Sequence, residues 1–185
     1  NRLSLGFQSL NDDHLKFLGR NHKAKDSIKA LEIAKKNFNR VSFDLIYGLP
    51  GQTELTWKKE LKEAIKFSGE HMSAYQLTIE KGTPFYSMHR DKNFILPSET
   101  TLLNLYEITD ALLKDAKLKK YEISNYSLQN AESIHNVNIW KGFEYCGIGP
   151  GAHGRIKINN QWFATHRYSS PTIWLSKNLA GNTTL

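Results

Sequence analysis

Short apolar runs along the chain predict β-strands at residues 2–8, 41–47 and about 72–79. Between them, apolar residues recur at helical spacing and predict helices over residues 11–18, over residues 25–38 and from Thr53 onward. Strands and helices that alternate at roughly thirty- to forty-residue intervals are typical of parallel βαβ units. The pattern therefore predicts an α/β fold with a parallel sheet.

The second half of the chain changes character. An irregular polar stretch, a helix capped by Ser98 and a weaker fourth strand are followed by a loop that carries His135, and then by a hairpin. The hairpin is predicted over 155–165 with a turn at Asn159-Asn160, and a last helix over 171–179. We therefore divide the chain into residues 1–154, the βα part and its extension, and residues 155–185, the start of a smaller subdomain.

The stretch from Phe43 to Thr53 is the most distinctive, because an apolar run that holds one carboxylate ends in Gly-Leu-Pro-Gly and a helix-capping Thr. This is the pattern of a buried strand that turns sharply into a helix. The glycines and proline alone also suit an ordinary βα loop. Asp44 favours a site, because a carboxylate buried among apolar residues must be paired or liganded.

Other polar residues follow predicted strands, where parallel sheets bind ligands. Gln8 ends the first strand, Thr78 ends the third, and Arg20 follows the first strand by a short helix. With Asp44 they would offer an amide, a hydroxyl, a guanidinium and a carboxylate on one rim, which suits ribose hydroxyls and an amino-acid carboxylate. Gln8 and Thr78 taken singly also suit ordinary strand-end residues.

A glycine-rich run, Gly147 to Gly154, suggests a backbone brought close to a ligand or to another segment. It is not a dinucleotide fingerprint, because Pro150 interrupts it and no helix follows at the right spacing. His135 and His153 are candidate ligands of a metal or haem iron, and ordinary structural histidines are the alternative.

Composition narrows the class of protein. The net charge is +7, but the lysines alternate with acids along predicted helices, so we expect solvated faces and no nucleic-acid partner. No apolar run is long enough for a membrane span. A single cysteine, Cys146, excludes an intramolecular disulfide and an all-cysteine metal site, and favours a reducing, cytoplasmic setting. Because the chain starts on a strand without Met, we interpret it as an internal piece of a longer protein.

Taken together, these segments resemble the HemW-type radical S-adenosylmethionine proteins, haem chaperones also described as oxygen-independent coproporphyrinogen III oxidase-like. The matching stretches follow the family's order over nearly the whole chain: residues 2–9, 18–22, 44–53, 73–83, 121–125, His135-Asn136 with Trp140, and 147–154. The chain departs from the family's pattern at Ile139, where a Tyr is usual, and at Ile134, where an Arg is usual.

The resemblance implies the later strands of a partial (β/α)₆ barrel that binds S-adenosylmethionine and a [4Fe-4S] cluster. Gln8 and Asp44 would hold the ribose, Arg20 the methionyl carboxylate, and Thr78 would lie near the adenine. The family's cysteine loop is absent, so every iron ligand is expected outside this chain and none of its residues is assigned as catalytic or metal-binding.

The resemblance also implies a function. The leading hypothesis is a haem chaperone that binds haem, through His135 or His153, and transfers it to acceptor proteins. The alternative is oxygen-independent coproporphyrinogen III dehydrogenase, in which a radical formed from S-adenosylmethionine abstracts hydrogen from a propionate side chain. The sequence leaves open whether the protein is an enzyme.

Overall fold

The computed structural model describes residues 2–179. Its strands are β1 (Arg2–Gln8), β2 (Arg40–Tyr47), β3 (His71–Gln76), β4 (Lys119–Lys120), β5 (Asn125–Ser127), β6 (His153–Ile158) and β7 (Gln161–His166). Its helices are α1 (Asp12–Phe17), α2 (Ala24–Asn37), α3 (Glu54–Phe67), α4 (Pro84–Arg90), α5 (Glu99–Asp115), α6 (Ile134–Trp140) and α7 (Pro171–Leu179). The predicted α/β class and the three principal strands are confirmed.

The larger sheet has the strand order β1-β2-β3-β5-β4. β1, β2 and β3 are parallel, as the βα spacing predicts, whereas β5 runs antiparallel to β3. The predicted fourth strand at residues 121–126 is divided, because residues 121–124 bend between β4 and β5. The Tyr121 N–H donates to the Asn125 carbonyl (3.2 Å) and Glu122 Oε1 accepts from the Ser124 N–H (3.1 Å), which closes this bend.

Helices cover the apolar face of the sheet. Alternate residues of β1 and β2 point towards them, and Phe7 stacks on Phe43 with ring centroids 4.5 Å apart. Trp57 of α3 and Leu105 of α5 are completely buried against these strands. The amphipathic periodicity of the helices thus identifies the side of each helix that faces the sheet.

Side-chain caps start the helices where the sequence predicts them. Asn11 Oδ1 accepts from the backbone N–H groups of Asp13 and His14, Thr53 caps α3, and Ser98 caps α5. Two short helices depart from the prediction. α4 forms within the stretch predicted to be irregular, because Thr83 caps it and Pro84 occupies its first turn. The predicted loop around His135 is helix α6.

Contacts divide the chain into two compact units, Asn1–Glu132 and Ser133–Leu185. In the second unit, β6 and β7 form the predicted hairpin, and Asn159 and Asn160 have φ values of 48° and 67° in its turn. Two successive positive φ angles are what a two-residue type I′ turn requires, and Asn tolerates them well. The domain division that the sequence suggested, between residues 154 and 155, stays a prediction.

A pair of buried hydrogen bonds joins α3 and α5 in the core of the first unit. Trp57 Nε1 donates to Thr109 Oγ1 (2.8 Å), and Thr109 Oγ1 donates to the Leu105 carbonyl (2.7 Å), with Trp57 and Thr109 both 0% exposed. We expect Thr109→Val to lower the free energy of unfolding by about 1–3 kcal/mol, because the indole N–H loses its acceptor. Urea denaturation measures the change.

Thr100→Val is the matched control, because Thr100 lies on the exposed side of the same helix. Equal stabilities for the two variants would contradict the role given to the Trp57–Thr109 bond.

Candidate functional site

The face of the sheet opposite the helices is polar. The register pairs Ser4 with Ser42 and Gly6 with Asp44 across β1 and β2, and Asp44 with Ser73 across β2 and β3. Because laterally paired residues point to the same face, these side chains lie side by side. Ser73 is in turn paired with Asn125 on β5. A band of hydroxyl, carboxylate and amide groups therefore crosses four strands.

Hydrogen bonds join this polar band. Ser42 Oγ donates to Ser4 Oγ (3.0 Å), and Ser4 Oγ donates to Asp44 Oδ1 (3.2 Å). On the other side, Ser73 Oγ donates to Asn125 Oδ1 (2.7 Å). Asp44 is thus the only carboxylate in the band, and its neighbours there are neutral.

Burial raises the pKa of the Asp44 carboxyl above its ordinary value, and the neighbouring Ser73 and Ser4 hydroxyl groups offset part of this rise. The carboxylate is partly accessible from the polar face. An ionised carboxylate only accepts hydrogen bonds and has more acceptor positions than two hydroxyls fill. Asp44 can therefore accept further donors, such as the hydroxyls of a sugar.

The end of β1 is distorted, and this directs the Gln8 side chain over Gly6, the lateral partner of Asp44. The register with β2 shifts between Gly6 and Gln8, and Gln8 has a φ of 69°. Its side chain folds back over Gly6, so that a Cβ at position 6 would lie 2.6 Å from Gln8 Nε2. Gly6 is the lateral partner of Asp44, and adjacent strands are about 4.8 Å apart. A larger residue at position 6 would displace the Gln8 amide from its place over the β1 backbone.

The other two residues assigned to the rim lie apart from this pair. Arg20 is exposed in the loop after α1, and Thr78 is exposed two residues beyond the end of β3, where its hydroxyl donates to the Gln76 carbonyl (3.4 Å). Within residues 2–179, neither side chain hydrogen-bonds to Asp44 or Gln8. The structure therefore places the Gln8 amide over Gly6, the lateral partner of Asp44, whereas the binding roles of all four residues stay predictions.

The Gly-Leu-Pro-Gly turn after β2 is closed from within. Gln52 is 3% exposed, and its Oε1 accepts from the backbone N–H of Gly48 (2.7 Å) and of Leu49 (3.4 Å). Gly48 has a φ of 79°, and a Cβ there would meet Leu102 Cδ2 at 2.8 Å. The turn thus needs glycine for its conformation and for contact with α5.

Charged residues close the polar face at the amino-terminal ends of its strands. Glu70 accepts hydrogen bonds from Arg2 (2.8 Å) and Arg40. Burial would raise the pKa of Glu70, but the two guanidinium partners outweigh it and lower the pKa. Next to Glu70, burial and the nearby Arg2 lower the pKa of His71 to about 4, and its Nε2 lies 2.8 Å from the Tyr121 hydroxyl. The open end of the polar face is therefore the end that carries Gln8 and Asp44.

The sequence contains a signal for this face that our strand prediction did not use. Polar and apolar residues alternate strictly along Arg2–Gln8 and over the first residues of β2. Alternation with a period of two indicates a strand with one buried apolar face and one polar face. The alternation alone places Ser4, Ser42 and Asp44 on the polar faces of their strands. Ser73 and Asn125 carry no comparable signal, because their partnership depends on the antiparallel pairing of β3 with β5.

The two histidines assigned to haem lie in the second unit. His135 is exposed on α6, and His153 is exposed at the start of β6. The His153 ring stacks on His166 of β7, with centroids 4.3 Å apart and ring planes at 19°. No local sequence pattern indicates a role for His166. Only the register of the hairpin places it opposite His153. Among the described residues, no group of three or more His, Cys, Asp or Glu side chains could hold a metal ion.

The chain is similar in sequence to known proteins. The family model described as "Radical SAM superfamily" matches residues 1–68. The "Radical S-adenosyl methionine domain-containing protein 1, mitochondrial" of Danio rerio is 36% identical over 182 residues, covering 96% of this chain and 41% of that protein. The "Heme chaperone HemW" of Buchnera aphidicola is 42% identical over 160 residues, covering 86% of this chain and 42% of that protein. The chain is a relative of the HemW-type radical S-adenosylmethionine proteins.

A solved structure has the same fold as this chain. Coproporphyrinogen III oxidase (HemN) from Escherichia coli superposes with a TM-score of 0.77 and 19% identity, over 98% of this chain and 44% of that one. The predicted radical-SAM fold is thus confirmed, with β1, β2 and β3 as its parallel strands. The chain spans less than half the length of the curated relatives it matches.

No helix among residues 2–179 is both long enough and apolar enough to cross a membrane.

The raised pKa of Asp44 gives a testable stability effect. Because the folded-state pKa lies above the unfolded value of 3.8, ionised Asp44 destabilises the fold at neutral pH, and this cost disappears as the pH falls below 3.8. We expect Asp44→Asn to be more stable than the wild type at pH 7, with the difference shrinking in acid. Thermal unfolding followed by circular dichroism at pH 7 and at acid pH measures it. A variant less stable at both pH values would contradict the assignment.

Proposed function

We propose that this chain is part of a radical-SAM haem chaperone, which binds haem and passes it to acceptor proteins. The proposal is supported by sequence similarity over most of the chain. The Danio rerio radical S-adenosyl methionine domain-containing protein is 36% identical to it, and the Buchnera aphidicola heme chaperone is 42% identical. The "Heme chaperone HemW" of Bacillus subtilis, 38% identical over 84% of this chain, supports the same function.

In this proposal the polar face binds S-adenosylmethionine. Asp44 and Gln8 suit the ribose, because a carboxylate accepts from vicinal hydroxyls while an amide both donates and accepts. Gly6 is the lateral partner of Asp44, and the Gln8 amide folds over it on the polar face. Arg20 would pair with the methionyl carboxylate, and Thr78 would lie towards the adenine. Both are exposed and free to reorient towards a ligand.

The radical-SAM family implies a [4Fe-4S] cluster, whose iron atoms cysteine thiolates bind. When bound, such a cluster supplies the electron for reductive cleavage of S-adenosylmethionine. This chain has one cysteine, Cys146, so the cluster ligands would come from residues outside it. The part of this chain is to bind and orient the nucleoside half of the cofactor.

Haem is the proposed cargo, and His135 and His153 are its proposed ligands. Both imidazoles are exposed and therefore accessible to an iron atom. The acceptor proteins and the cytoplasmic location belong to the same proposal.

The cofactor role of Asp44 is tested by calorimetry of S-adenosylmethionine binding to the full-length, cluster-loaded protein. We expect Asp44→Ala to weaken binding roughly ten- to hundredfold, because hydrogen bonds to a charged group are lost. Asp115→Ala, at the exposed end of α5, is the matched control and keeps wild-type affinity. Unchanged affinity of Asp44→Ala for S-adenosylmethionine would contradict the cofactor role of Asp44.

The haem role is tested by titrating the full-length protein with haemin and following the Soret band. We expect saturable binding, and a weaker, shifted band in a His135→Ala, His153→Ala double variant, because iron loses its imidazole ligand. His89→Ala, on α4 in the first unit, is the control. A flat titration of the wild type would contradict the proposal.

The coproporphyrinogen III dehydrogenase hypothesis shares the fold of the E. coli oxidase, and at 19% identity that likeness speaks for the fold alone. Anaerobic incubation of the full-length protein with coproporphyrinogen III, S-adenosylmethionine and a reductant separates the two functions. Loss of carbon dioxide from the propionates, together with a flat Soret titration, would favour the dehydrogenase.

A further inference from the structure

One face of the β6–β7 hairpin collects a set of side chains that the proposed function has not yet used. The register pairs Lys157 with Trp162, Arg155 with Ala164, and His153 with His166. Directly opposed residues of antiparallel strands point to the same face, and so do alternate residues along a strand. All six therefore share one face, which we call the hairpin face: His153, Arg155, Lys157, Trp162, Ala164 and His166.

Contacts between side chains confirm this placement. The His153 and His166 rings stack at one end, and Lys157 Nζ lies 6.0 Å from the centroid of the Trp162 ring at the other. Ala164, a small residue, lies between them opposite Arg155. A third segment extends the face, because Tyr145 and Arg155 exchange backbone hydrogen bonds of 2.8 and 2.9 Å.

An aromatic cavity of about 440 Å³ opens on the hairpin face. This volume falls within the range of small-molecule sites. Most of its wall is apolar, and Arg155 is the one charged residue among those that line it. The lining residues are Ile139, Gly142, Phe143, Tyr145, Arg155 and Trp162.

The aromatic walls are unusually open. Trp162 and Phe143 are each 53% exposed, although large aromatic side chains lose free energy by facing water. A ligand with a flat conjugated ring would cover them.

The cations of the hairpin face have no acidic partner. Arg155 Nη1 donates only to the adjacent Gly154 carbonyl (3.3 Å), and within residues 2–179 no carboxylate forms an ion pair with Arg155 or Lys157. The nearest acid, Glu144, accepts the Lys157 backbone N–H (2.9 Å). An anionic group on the ligand would pair with the Arg155 guanidinium, which forks towards carboxylates.

The imidazole pair lies two residues along the strand from Arg155, a separation of about 7 Å. This distance is comparable with that from the centre of a tetrapyrrole to its propionate carboxylates. Aromatic walls, a guanidinium without an ion-pair partner among residues 2–179 and imidazoles at this spacing suit one chemical class, a planar metallated ring with carboxylate arms.

We infer that the hairpin face is the docking surface for a propionate-bearing tetrapyrrole, with the ring against Trp162, a propionate on Arg155 and the metal beside the His153–His166 pair. The inference rests on the proposed haem function and gives it a location. It adds Arg155, Trp162 and His166 to the residues that bind the cargo. Burial of the same face by another segment of the protein is the competing occupant.

The test titrates full-length protein with three probes: haemin, haemin dimethyl ester and metal-free protoporphyrin IX. We expect Trp162→Ala to weaken the binding of all three roughly tenfold, because a large buried contact is lost. Arg155→Gln weakens haemin and protoporphyrin IX roughly tenfold but leaves the ester unchanged, because the ester carries no carboxylate charge. A His153→Ala, His166→Ala double variant weakens haemin and shifts its Soret band, and leaves protoporphyrin IX unchanged.

Phe163→Ala is the matched control, because Phe163 is similarly exposed on β7 but alternates to the opposite face. Circular dichroism melting verifies that each variant is folded. Wild-type affinity for haemin in Trp162→Ala and Arg155→Gln would overturn the docking surface while leaving the haem function standing. Equal losses in Phe163→Ala and Trp162→Ala would also overturn it, because a ligand docked on the hairpin face contacts Trp162 and not Phe163. A wild type that binds none of the probes overturns the proposed function itself.

Discussion

The carboxylate of Asp44, held in the central parallel strands, is the constraint on which the first unit depends. Its strand has Phe43 and Leu45 buried under helices on one side, so Asp44 must face the other side. A charge at such a position has to be solvated by neighbours. Hydroxyls from the strands on both sides, Ser4 and Ser73, do so. Because β2 lies between β1 and β3 and buries its apolar side under helices, the residues that flank Asp44 on both neighbouring strands are small or polar.

These neutral partners hold the carboxylate without neutralising it. A lysine or arginine at position 4 or 73 would form a stronger pair with Asp44 and occupy its acceptor positions. Serine hydroxyls leave the anion partly desolvated, which raises its pKa, and leave room for donors from a ligand. The opposite arrangement closes the other end of the face, where Glu70 is paired with two arginines. Charge pairing thus distinguishes a structural end from an open end of one sheet.

The two units use their polar groups differently. In the first unit, polar side chains lie on the face of the sheet opposite the helices and hydrogen-bond to one another across strands. In the second, Arg155 and Lys157 lie on an open face beside exposed aromatic rings and have no acidic partner among the described residues. A band whose carboxylate keeps open acceptor positions suits a cofactor recognised through a few added hydrogen bonds. An unsatisfied aromatic and cationic face suits a larger ligand that supplies both apolar area and charge.

Sequence patterns alone predict the three parallel strands and the long helices that follow them, the caps at Thr53 and Ser98, the hairpin turn and the family resemblance. These features depend on neighbouring residues, whose spacing and turn chemistry can be recognised locally. The sequence also singled out Asp44, because one carboxylate in an apolar strand is conspicuous. The tertiary structure decided which residues surround it: the fold-back of Gln8 over Gly6 needs a register shift, and Asn125 reaches the band only because β5 runs antiparallel. Likewise His166 meets His153 through cross-strand register. Such pairings join residues far apart in the chain, and their register is fixed by packing, which no local pattern encodes.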